Sequence, residues 1–345
     1  MLLRVIHETV YEYAPSVSNA QHMAHLRPLD VPGQRLLEHH LRIDPPPAQC
    51  LERTDVFGNT RAFFSLPFSH ESLRVRAESL VETSMPLPAA EGEGAGNAPE
   101  TEAAEDVDDP ALDLAWVLPP SPAWEEVRDL LRYRRGAAYE PAAEFAFASP
   151  HIPRHADFVA YAEPSFTPGR PLLEAAWDLM SRIHADFTYA PAETDVGTPA
   201  LEALSMRRGV CQDFAHIMIA CLRGLGLAAR YVSGYLLTQP PPGQPRLVGS
   251  DASHAWVSVW VPGEGDGLVS SEDGQAGGTW HDLDPTNDRA PGEDYVTLAV
   301  GRDYADVSPL RGVIHGGARH ILRVAVTVAP ADEVLVEPPQ TDPDL

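Results

Sequence analysis

Apolar and polar side chains alternate in four short stretches of the first 85 residues, which read LLRVIHETVYEYA, LLEHHLRIDPPP, TRAFFSLPF and SLRVRAESLVET. Such alternation is typical of β-strands that bury one face. The turn-forming sequences VPGQ and DVFGN lie between these stretches. The pattern therefore predicts a small N-terminal β domain over residues 1–85, sandwich-like in architecture.

The apolar spacing changes to a helical period between residues 121 and 230. SPAWEEVRDLLRY begins with a helix-start signal, and RPLLEAAWDLMSRIHADF places apolar residues at i, i+3 and i+4. The stretch CQDFAHIMIACLRGLGL predicts a buried helix. One stripe of this helix carries Phe214, Met218, Cys221, Leu222 and Leu225.

From Arg230 the period returns to two, in ARYVSGYLL, HAWVSVWVP, TWHDLDPT and, near the end, HILRVAVTVAP. Helices that are followed by antiparallel strands indicate the α+β class. We therefore expect an α+β domain over residues 116–330, followed by a C-terminal tail over 331–345.

The stretch PLPAAEGEGAGNAPETEAAEDVDDP, residues 86–110, separates the two regions. It contains eight acidic residues, no arginine and no aromatic residue. Such a composition cannot bury enough apolar surface to offset the entropy cost of ordering. It predicts a flexible acidic linker over residues 86–115, and a segment that binds a partner is the alternative interpretation.

The net charge of the chain narrows the choice of partners. Fifty acidic residues oppose 25 basic ones, and the formal charge is −25. Such a surface repels nucleic acid and anionic membranes. No apolar run approaches the roughly 20 residues that a membrane span needs. Charges within the first eight residues are unlike a signal peptide, so we expect a cytoplasmic protein.

The cysteine content excludes two kinds of site. Three cysteines lie far apart, at Cys50, Cys211 and Cys221, without a CxxC pair. This pattern favours neither a disulfide framework nor a structural zinc site. We expect no metal and no cofactor.

Cys211 is the candidate nucleophile. It falls at the predicted start of the buried helix, where free backbone N–H groups and the helix dipole favour a thiolate. His254 begins the predicted strand HAWVSVWVP and could serve as the base. In an antiparallel pair the first residue of one strand lies opposite the last residue of the next. On this argument Asp284 faces His254, and Asp282 lies on the same face roughly 7 Å further along.

A thiol, an imidazole and a carboxylate suit acyl transfer without a metal. Cys221 is interpreted as core filling, and His216 is interpreted as a buried structural histidine. Asp213, in the first turn of the helix, stabilises the helix dipole or steers substrate. Trp256 is interpreted as strand packing or as the wall of a substrate groove. The candidates for substrate contact are Asp213, Trp256 and Tyr235.

Three segments carry a resemblance to a known family: GVCQDFAHIMIACLRGLGLAARYVSGYL, SHAWVSVWVPG and WHDLDPTND. They resemble the core of the transglutaminase-like superfamily, and in particular its bacterial branch of cysteine proteases. VYEYAPSVSNAQHMAHLRPLD, DVFGN and VGRDYADVSPLRGV are similar to further parts of that branch, including its N-terminal β domain.

The resemblance implies a papain-like core with a Cys-His-Asp triad, which matches Cys211, His254 and Asp284. The link over residues 263–278 is longer than the tight turn usual in relatives, so the register alone leaves Asp282 open.

The resemblance also implies an enzyme that cleaves or transfers the acyl group of amide bonds in peptides or proteins. We expect hydrolysis, by a protease, isopeptidase or amidase. The alternatives are a transglutaminase or other amine acyltransferase, and a non-catalytic member of the fold that binds peptides.

Overall fold

The computed structural model describes residues 1–85, 118–136, 139–191, 193–239, 246, 248–249, 251, 253–263, 277–317 and 319–335. The whole predicted acidic linker, residues 86–115, and the tail beyond residue 335 lie outside the described residues. The described chain combines a β domain with a core of helices and an antiparallel sheet. The predicted α+β class is therefore confirmed.

The N-terminal strands form one sheet around a long central strand. They are β1 (Leu2–Ala24), β2 (Gln34–Asp44), β3 (Gln49–Thr54), β4 (Thr60–Leu66) and β5 (His70–Thr83). The first half of β1 pairs with β5, and its second half pairs with β4. The β1–β5 register is interrupted between Glu12 and Val17, around a proline that cannot donate a ladder hydrogen bond. One interrupted strand thus serves both halves of the sheet.

Two strands from the end of the chain complete this sheet. They are β12 (Leu310–Gly316) and β13 (Arg319–Pro330), and both pair antiparallel with β1. The predicted boundaries are therefore wrong here, because residues 310–330 belong to the β domain and not to the α+β domain. Alternation predicts a strand but does not identify its partner. The seven strands also form a single sheet and not the two sheets of a sandwich.

The helical layer surrounds one buried helix. The helices are α1 (Trp124–Leu131), a 3-10 helix (Pro141–Ala146), α2 (Ala156–Ala162), α3 (Leu172–Asp186), α4 (Ala200–Met206), α5 (Cys211–Gly224) and α6 (Tyr304–Val307). From Phe214 to Leu222 no residue of α5 is more than 2% exposed. Helices α2, α3 and α4 pack around α5. No helix of the described residues has the length and apolarity needed to cross a membrane.

The second sheet covers the remaining side of α5. Its strands are β8 (Ala229–Leu236), β9 (Ser253–Pro262), β10 (Gly278–Leu283) and β11 (Tyr295–Gly301), in the order β10-β9-β8-β11. A short parallel pair, β6 (Thr188–Tyr189) and β7 (Arg208–Gly209), lies just before α5. Because β9 contacts α5, the start of that strand can bring a side chain to the start of the helix.

The DVFGN turn joins the two sheets. The Asp55 carboxylate accepts hydrogen bonds from the backbone N–H groups of Phe57 and Asn59, which fixes the turn. The Asn59 side chain then bonds both backbone groups of Val300 in β11, at 2.7 and 2.8 Å. Asn59 is 1% exposed. Both backbone groups of Val300 are therefore satisfied by one buried amide, and the β domain is held against the sheet that carries the site.

Candidate active site

Cys211 is the first residue of α5, directly after Val210 at the N-cap position. The Asp213 carboxylate accepts a hydrogen bond from the Val210 N–H at 2.9 Å and another from the Thr194 hydroxyl at 2.7 Å. Gly209 leaves room for this carboxylate, because a Cβ there would lie 2.5 Å from an oxygen of Asp213. The sequence before the thiol thus builds a well-anchored helix start.

The thiol itself is partly exposed, and an aromatic ring lies beside it. Tyr189 pairs with Gly209 across the short parallel ladder. Its ring packs edge-on against Phe214 at 6.4 Å, and the residue is 53% exposed. Burial and the charge of Cys211 both raise the pKa of Tyr189. Tyr189 is therefore an exposed aromatic residue near the thiol.

His254 connects the thiol to a carboxylate. Its Nε2 lies 2.6 Å from Oδ2 of Asp284. The same imidazole lies close enough to Cys211 for the thiol to raise its pKa. Because Nε2 faces Asp284, the other ring nitrogen is the one that remains for the thiol. His254 is 9% exposed and Asp284 is fully buried, so the structure places Cys211, His254 and Asp284 in one connected row.

Asp284 reaches His254 from a turn and not from the register that the sequence suggested. Strand β10 ends at Leu283, which pairs with Val257. Continuing this register places Asp284 opposite Trp256, two residues away from His254. The predicted strand pairing is therefore wrong by two residues, although the aspartate it selected does contact the imidazole. Beyond β10 the chain folds back on itself, and this turn carries the carboxylate to the imidazole.

Three side chains donate to one oxygen of the Asp284 carboxylate. Besides His254, the Asn287 amide lies 2.7 Å from Oδ2 and the Tyr295 hydroxyl also lies 2.7 Å from it. Oδ1 accepts from the backbone N–H of Thr286 at 2.8 Å. A carboxylate with this many donors is held in one orientation and favours its ionised form.

The pKa values of the pair move in the directions that an ion pair requires. Burial alone would lower the pKa of His254, but the Asp284 hydrogen bond and the contact with Cys211 outweigh it and raise the pKa from 6.5 to about 10. Burial would likewise raise the pKa of Asp284, but His254, Tyr295 and Asn287 lower it below its ordinary value. The imidazole is therefore protonated and the carboxylate ionised at neutral pH.

Trp256 and Asp282 form a separate contact behind the histidine. The Trp256 indole N–H donates to Oδ2 of Asp282 at 3.0 Å, and the ring packs edge-on against Tyr295 at 5.4 Å. Trp256 is fully buried. The prediction of a substrate contact at Trp256 is therefore wrong, and the alternative of strand packing is correct. Asp282 does not contact the imidazole because its carboxylate is bound to the indole.

The other two predicted substrate contacts are also buried. Tyr235 is 1% exposed, and its hydroxyl bonds Nδ1 of His7 in the β domain at 3.0 Å. Asp213 is 1% exposed, and its carboxylate is occupied by Thr194 and Val210. Neither side chain can reach a substrate, so both predictions are wrong. The dipole-stabilising alternative for Asp213 agrees with its position in the first turn of α5.

The remaining histidine and cysteines of interest lie away from this row. His216 is 1% exposed, stacks on His151 at 5.3 Å and accepts a hydrogen bond from the backbone N–H of Tyr304. Burial lowers the pKa of His216 to about 3, so the ring is neutral. Cys221 is fully buried, and Cys50 is exposed on the β domain. No group of three His, Cys, Asp or Glu in the described part of the chain could hold a metal ion.

Sequence reasoning missed three residues of the site: Asn287, Tyr295 and Tyr189. Asn287 follows the selected aspartate by three residues, a spacing at which a turn brings two side chains together. Tyr295 opens a strand whose place beside β8 no local pattern reveals. Tyr189 lies 22 residues before the nucleophile in sequence, and only the β6–β7 pairing brings it to the thiol.

Two family models match the chain. The model described as "Bacterial transglutaminase-like N-terminal region" matches residues 3–82. The model described as "Transglutaminase-like superfamily" matches residues 160–285, which include Cys211, His254 and Asp284. The first match covers β1 to β5, and the second runs from α2 through β10. Together they span both parts of the fold.

Curated relatives resemble either the whole chain or its core. An uncharacterized protein of Mycobacterium tuberculosis is 40% identical over 329 residues, which are 95% of this chain and 92% of that protein. A protein-glutamine gamma-glutamyltransferase of Pseudomonas aeruginosa is 31% identical over 138 residues, which are 37% of this chain and 19% of that protein. The second similarity is thus confined to a small part of a longer protein.

A solved structure has the same fold along nearly the whole chain. It is titled "The Crystal Structure of a Putative Cysteine Protease from Cytophaga hutchinsonii" and superposes with a TM-score of 0.64 at 17% identity. The match covers 97% of this chain and 92% of that one. The whole-length relatives, the two family models and the shared fold agree. The chain belongs to the transglutaminase-like superfamily, and it carries the bacterial N-terminal region of that superfamily in front of the core.

Proposed function

We propose that the protein is a cysteine-dependent enzyme that hydrolyses amide or isopeptide bonds of peptides or proteins through a thioester intermediate. The observation that carries this proposal is the row formed by Cys211, His254 and Asp284. A thiol at a helix start shares a buried imidazole with an aspartate whose carboxylate has three side-chain donors. Such an arrangement provides a nucleophile, a proton carrier and a group that orients the carrier.

In the proposed reaction the Cys211 thiolate attacks the carbonyl carbon of the amide. His254, as imidazolium, gives its proton to the leaving nitrogen as the carbon–nitrogen bond breaks. The amine departs, and the acyl group stays on the sulfur as a thioester. Neutral His254 then takes a proton from a water molecule, whose oxygen attacks the thioester and releases the acid and the thiolate.

The start of α5 supports the transition state of both steps. The backbone N–H of Cys211 belongs to the first turn, where N–H groups have no partner inside the helix. The Asp213 carboxylate takes the N–H of Val210, one residue earlier, and leaves that of Cys211 free of this contact. We infer that the Cys211 N–H donates to the oxyanion, where one such donor contributes about 2.7–4 kcal/mol.

Amine transfer is the second candidate, and one comparison favours it. The Pseudomonas aeruginosa relative is named a protein-glutamine gamma-glutamyltransferase, and its similarity covers part of the core. The two reactions share the thioester and differ only in the acceptor, which is water or an amine. The side chains that surround Cys211 can form the thioester for either reaction.

The first test compares three thiols in one chain. Iodoacetamide is added at neutral pH, and peptide mass spectrometry follows each cysteine with time. We expect Cys211 to react first, although Cys50 is the more exposed thiol. Burial and the charge of Glu52 raise the pKa of Cys50, and burial raises that of Cys221, so both are slow references. Equal slow labelling of all three would contradict the proposal and favour a binding protein.

The second test separates the two acceptors. Casein and a peptide mixture are incubated with the enzyme in water enriched in ¹⁸O, with and without a fluorescent primary amine. Hydrolysis predicts ¹⁸O in new carboxyl groups, and amine transfer predicts fluorescent protein. Neither product should form with Cys211→Ala. Products that persist in Cys211→Ala would assign the activity to another residue or to a contaminant.

A further inference from the structure

An open cavity of about 890 Å³ lies among α2, α3 and α4, apart from the candidate active site. Its volume is in the range of sites for small organic molecules. The apolar part of its wall includes Pro199, Leu201 and Leu204, and the cationic part is formed by Arg182 and Arg207. None of the residues proposed for catalysis lines it.

Both arginines are held against the same aromatic ring. The guanidinium carbon of Arg207 lies 4.3 Å from the ring centroid of Tyr161, and that of Arg182 lies 4.7 Å from it. The Arg207 guanidinium also lies over Phe187, at 4.9 Å. The two cations are therefore within about 9 Å of each other, a distance at which they repel. The stacking contacts hold them there and pre-organise their donors.

Neither guanidinium forms an ion pair with a carboxylate in the described part of the chain. No Asp or Glu oxygen there lies within 4.0 Å of either group, although the chain has 50 acidic residues. Among the described residues, Arg182 donates to two neutral acceptors, the Tyr161 carbonyl and the Ser165 hydroxyl, both at 2.9 Å. Nη1 of Arg207 is buried and has no hydrogen-bond partner. A buried cationic donor without an acceptor is costly.

We propose that this cavity binds an organic anion, with a carboxylate or phosphate group held by Arg182 and Arg207. The anion would offset the repulsion between the two cations, which both line the cavity. A guanidinium can bind either anionic group through two parallel hydrogen bonds. An apolar body attached to that group would lie against Leu201 and Leu204. This site does not depend on the proposed catalytic function.

Four probes test separately how the anionic group and the apolar body of the ligand contribute to binding. Binding of hexanoate, hexyl phosphate, acetate and hexanol is measured by calorimetry on the Cys211→Ala protein, in which no acyl chemistry can occur. We expect hexanoate or hexyl phosphate to bind more tightly than acetate and hexanol, because each of the latter lacks one part of the recognition. The tighter of the first two identifies the anionic group. No saturable binding of either would overturn the proposal.

Matched variants locate the site. Arg207→Gln should weaken the binding of the higher-affinity probe about tenfold or more, since a charge-assisted hydrogen bond is lost. Arg208→Gln is the control, because this neighbour is paired with Glu193 at 2.6 Å on the exposed surface. Glu202→Gln removes an exposed negative charge from the cavity wall and should strengthen binding. Equal effects of Arg207→Gln and Arg208→Gln would place the anion elsewhere, as would Glu202→Gln without effect.

Discussion

Replacing Asp284 with asparagine tests the role of the most buried residue in the row formed by Cys211, His254 and Asp284. The substitution keeps the size of the side chain but removes the charge. In the native protein Oδ2 accepts from His254, Asn287 and Tyr295 at 2.6 to 2.7 Å. If the asparagine oxygen occupies the Oδ2 position, it accepts these hydrogen bonds more weakly because it is neutral. If the amide NH₂ occupies that position, it meets donors and can accept from none of them. The imidazole then loses the partner that fixes its orientation and its charge.

The pKa of His254 gives the size of the effect. A pKa raised from 6.5 to about 10 corresponds to on the order of 4–5 kcal/mol in favour of the imidazolium, at about 1.4 kcal/mol per pH unit. The hydrogen bond to Asp284 is the largest contribution that raises it. A loss of several kcal/mol of orientation and charge stabilisation agrees with the roughly 10⁴-fold loss of turnover that this change causes in other triads. We therefore expect a loss on the order of 10⁴-fold.

The assay needs no natural substrate. Alkylation of Cys211 by iodoacetamide is followed between pH 5 and 9 in a Cys50→Ser background. In Asp284→Asn the pKa of His254 falls, so the thiolate loses its imidazolium partner and alkylation at pH 6 should slow markedly. Asp282→Asn is the matched control. Its carboxylate binds the indole of Trp256, and an asparagine oxygen can still accept that bond.

Two results would refute this reasoning. The first is a larger loss in Asp282→Asn than in Asp284→Asn, which would show that the orienting carboxylate has been assigned to the wrong residue. The second is an unchanged pH profile in Asp284→Asn with a native melting curve. In that case the contact between the aspartate and the imidazole would exist without controlling the protonation of His254.

The remaining predictions concern stability and the helix start. His254 has a folded pKa of about 10 against 6.5 when unfolded, so its stabilising contribution is complete below pH 6.5 and is lost as pH rises toward 10. The difference in melting temperature between wild type and Asp284→Asn should therefore shrink over that interval, and a constant difference would contradict the linkage. Tyr295→Phe should cost about 1.5–3 kcal/mol in denaturant unfolding and also slow turnover, whereas Tyr235→Phe should lower stability alone. Gly209→Ala should slow alkylation of the thiol, because its Cβ collides with the carboxylate that anchors the cysteine helix; full reactivity would show that the anchor is dispensable.

The sequence predicts the class and the order of elements because these follow from local periodicity. Strands β1, β4 and β5 alternate clearly, and α5 has the continuous apolar character of a buried helix. The partner of a strand is not a local property. HILRVAVTVAP reads equally well as the last strand of either sheet, and only the structure shows that it pairs with β1. The sequence therefore did not predict the pairing of strands that lie far apart along the chain.

The difference between local and long-range information also explains which residues of the site the sequence predicts. Cys211 and His254 are identified by local context, because Cys211 begins α5 and His254 is the second residue of β9. Burial of a given side chain is not visible locally. Tyr235 alternates like a half-buried strand residue, but the β domain covers its outer face and takes its hydroxyl through His7. A residue that one sheet would expose is thereby buried by the other.

Asp282 and Asp284 bind different partners because β10 ends between them, at Leu283. Inside the strand, Asp282 points to the indole of Trp256, which needs an acceptor because it is fully buried. Beyond the strand, Asp284 is freed from the ladder and can turn to His254. Two ionised carboxylates against one imidazole would repel each other. Because Asp282 accepts from the indole of Trp256, Asp284 is the one carboxylate that orients His254. The imidazolium of His254 can then pair with the thiolate of Cys211.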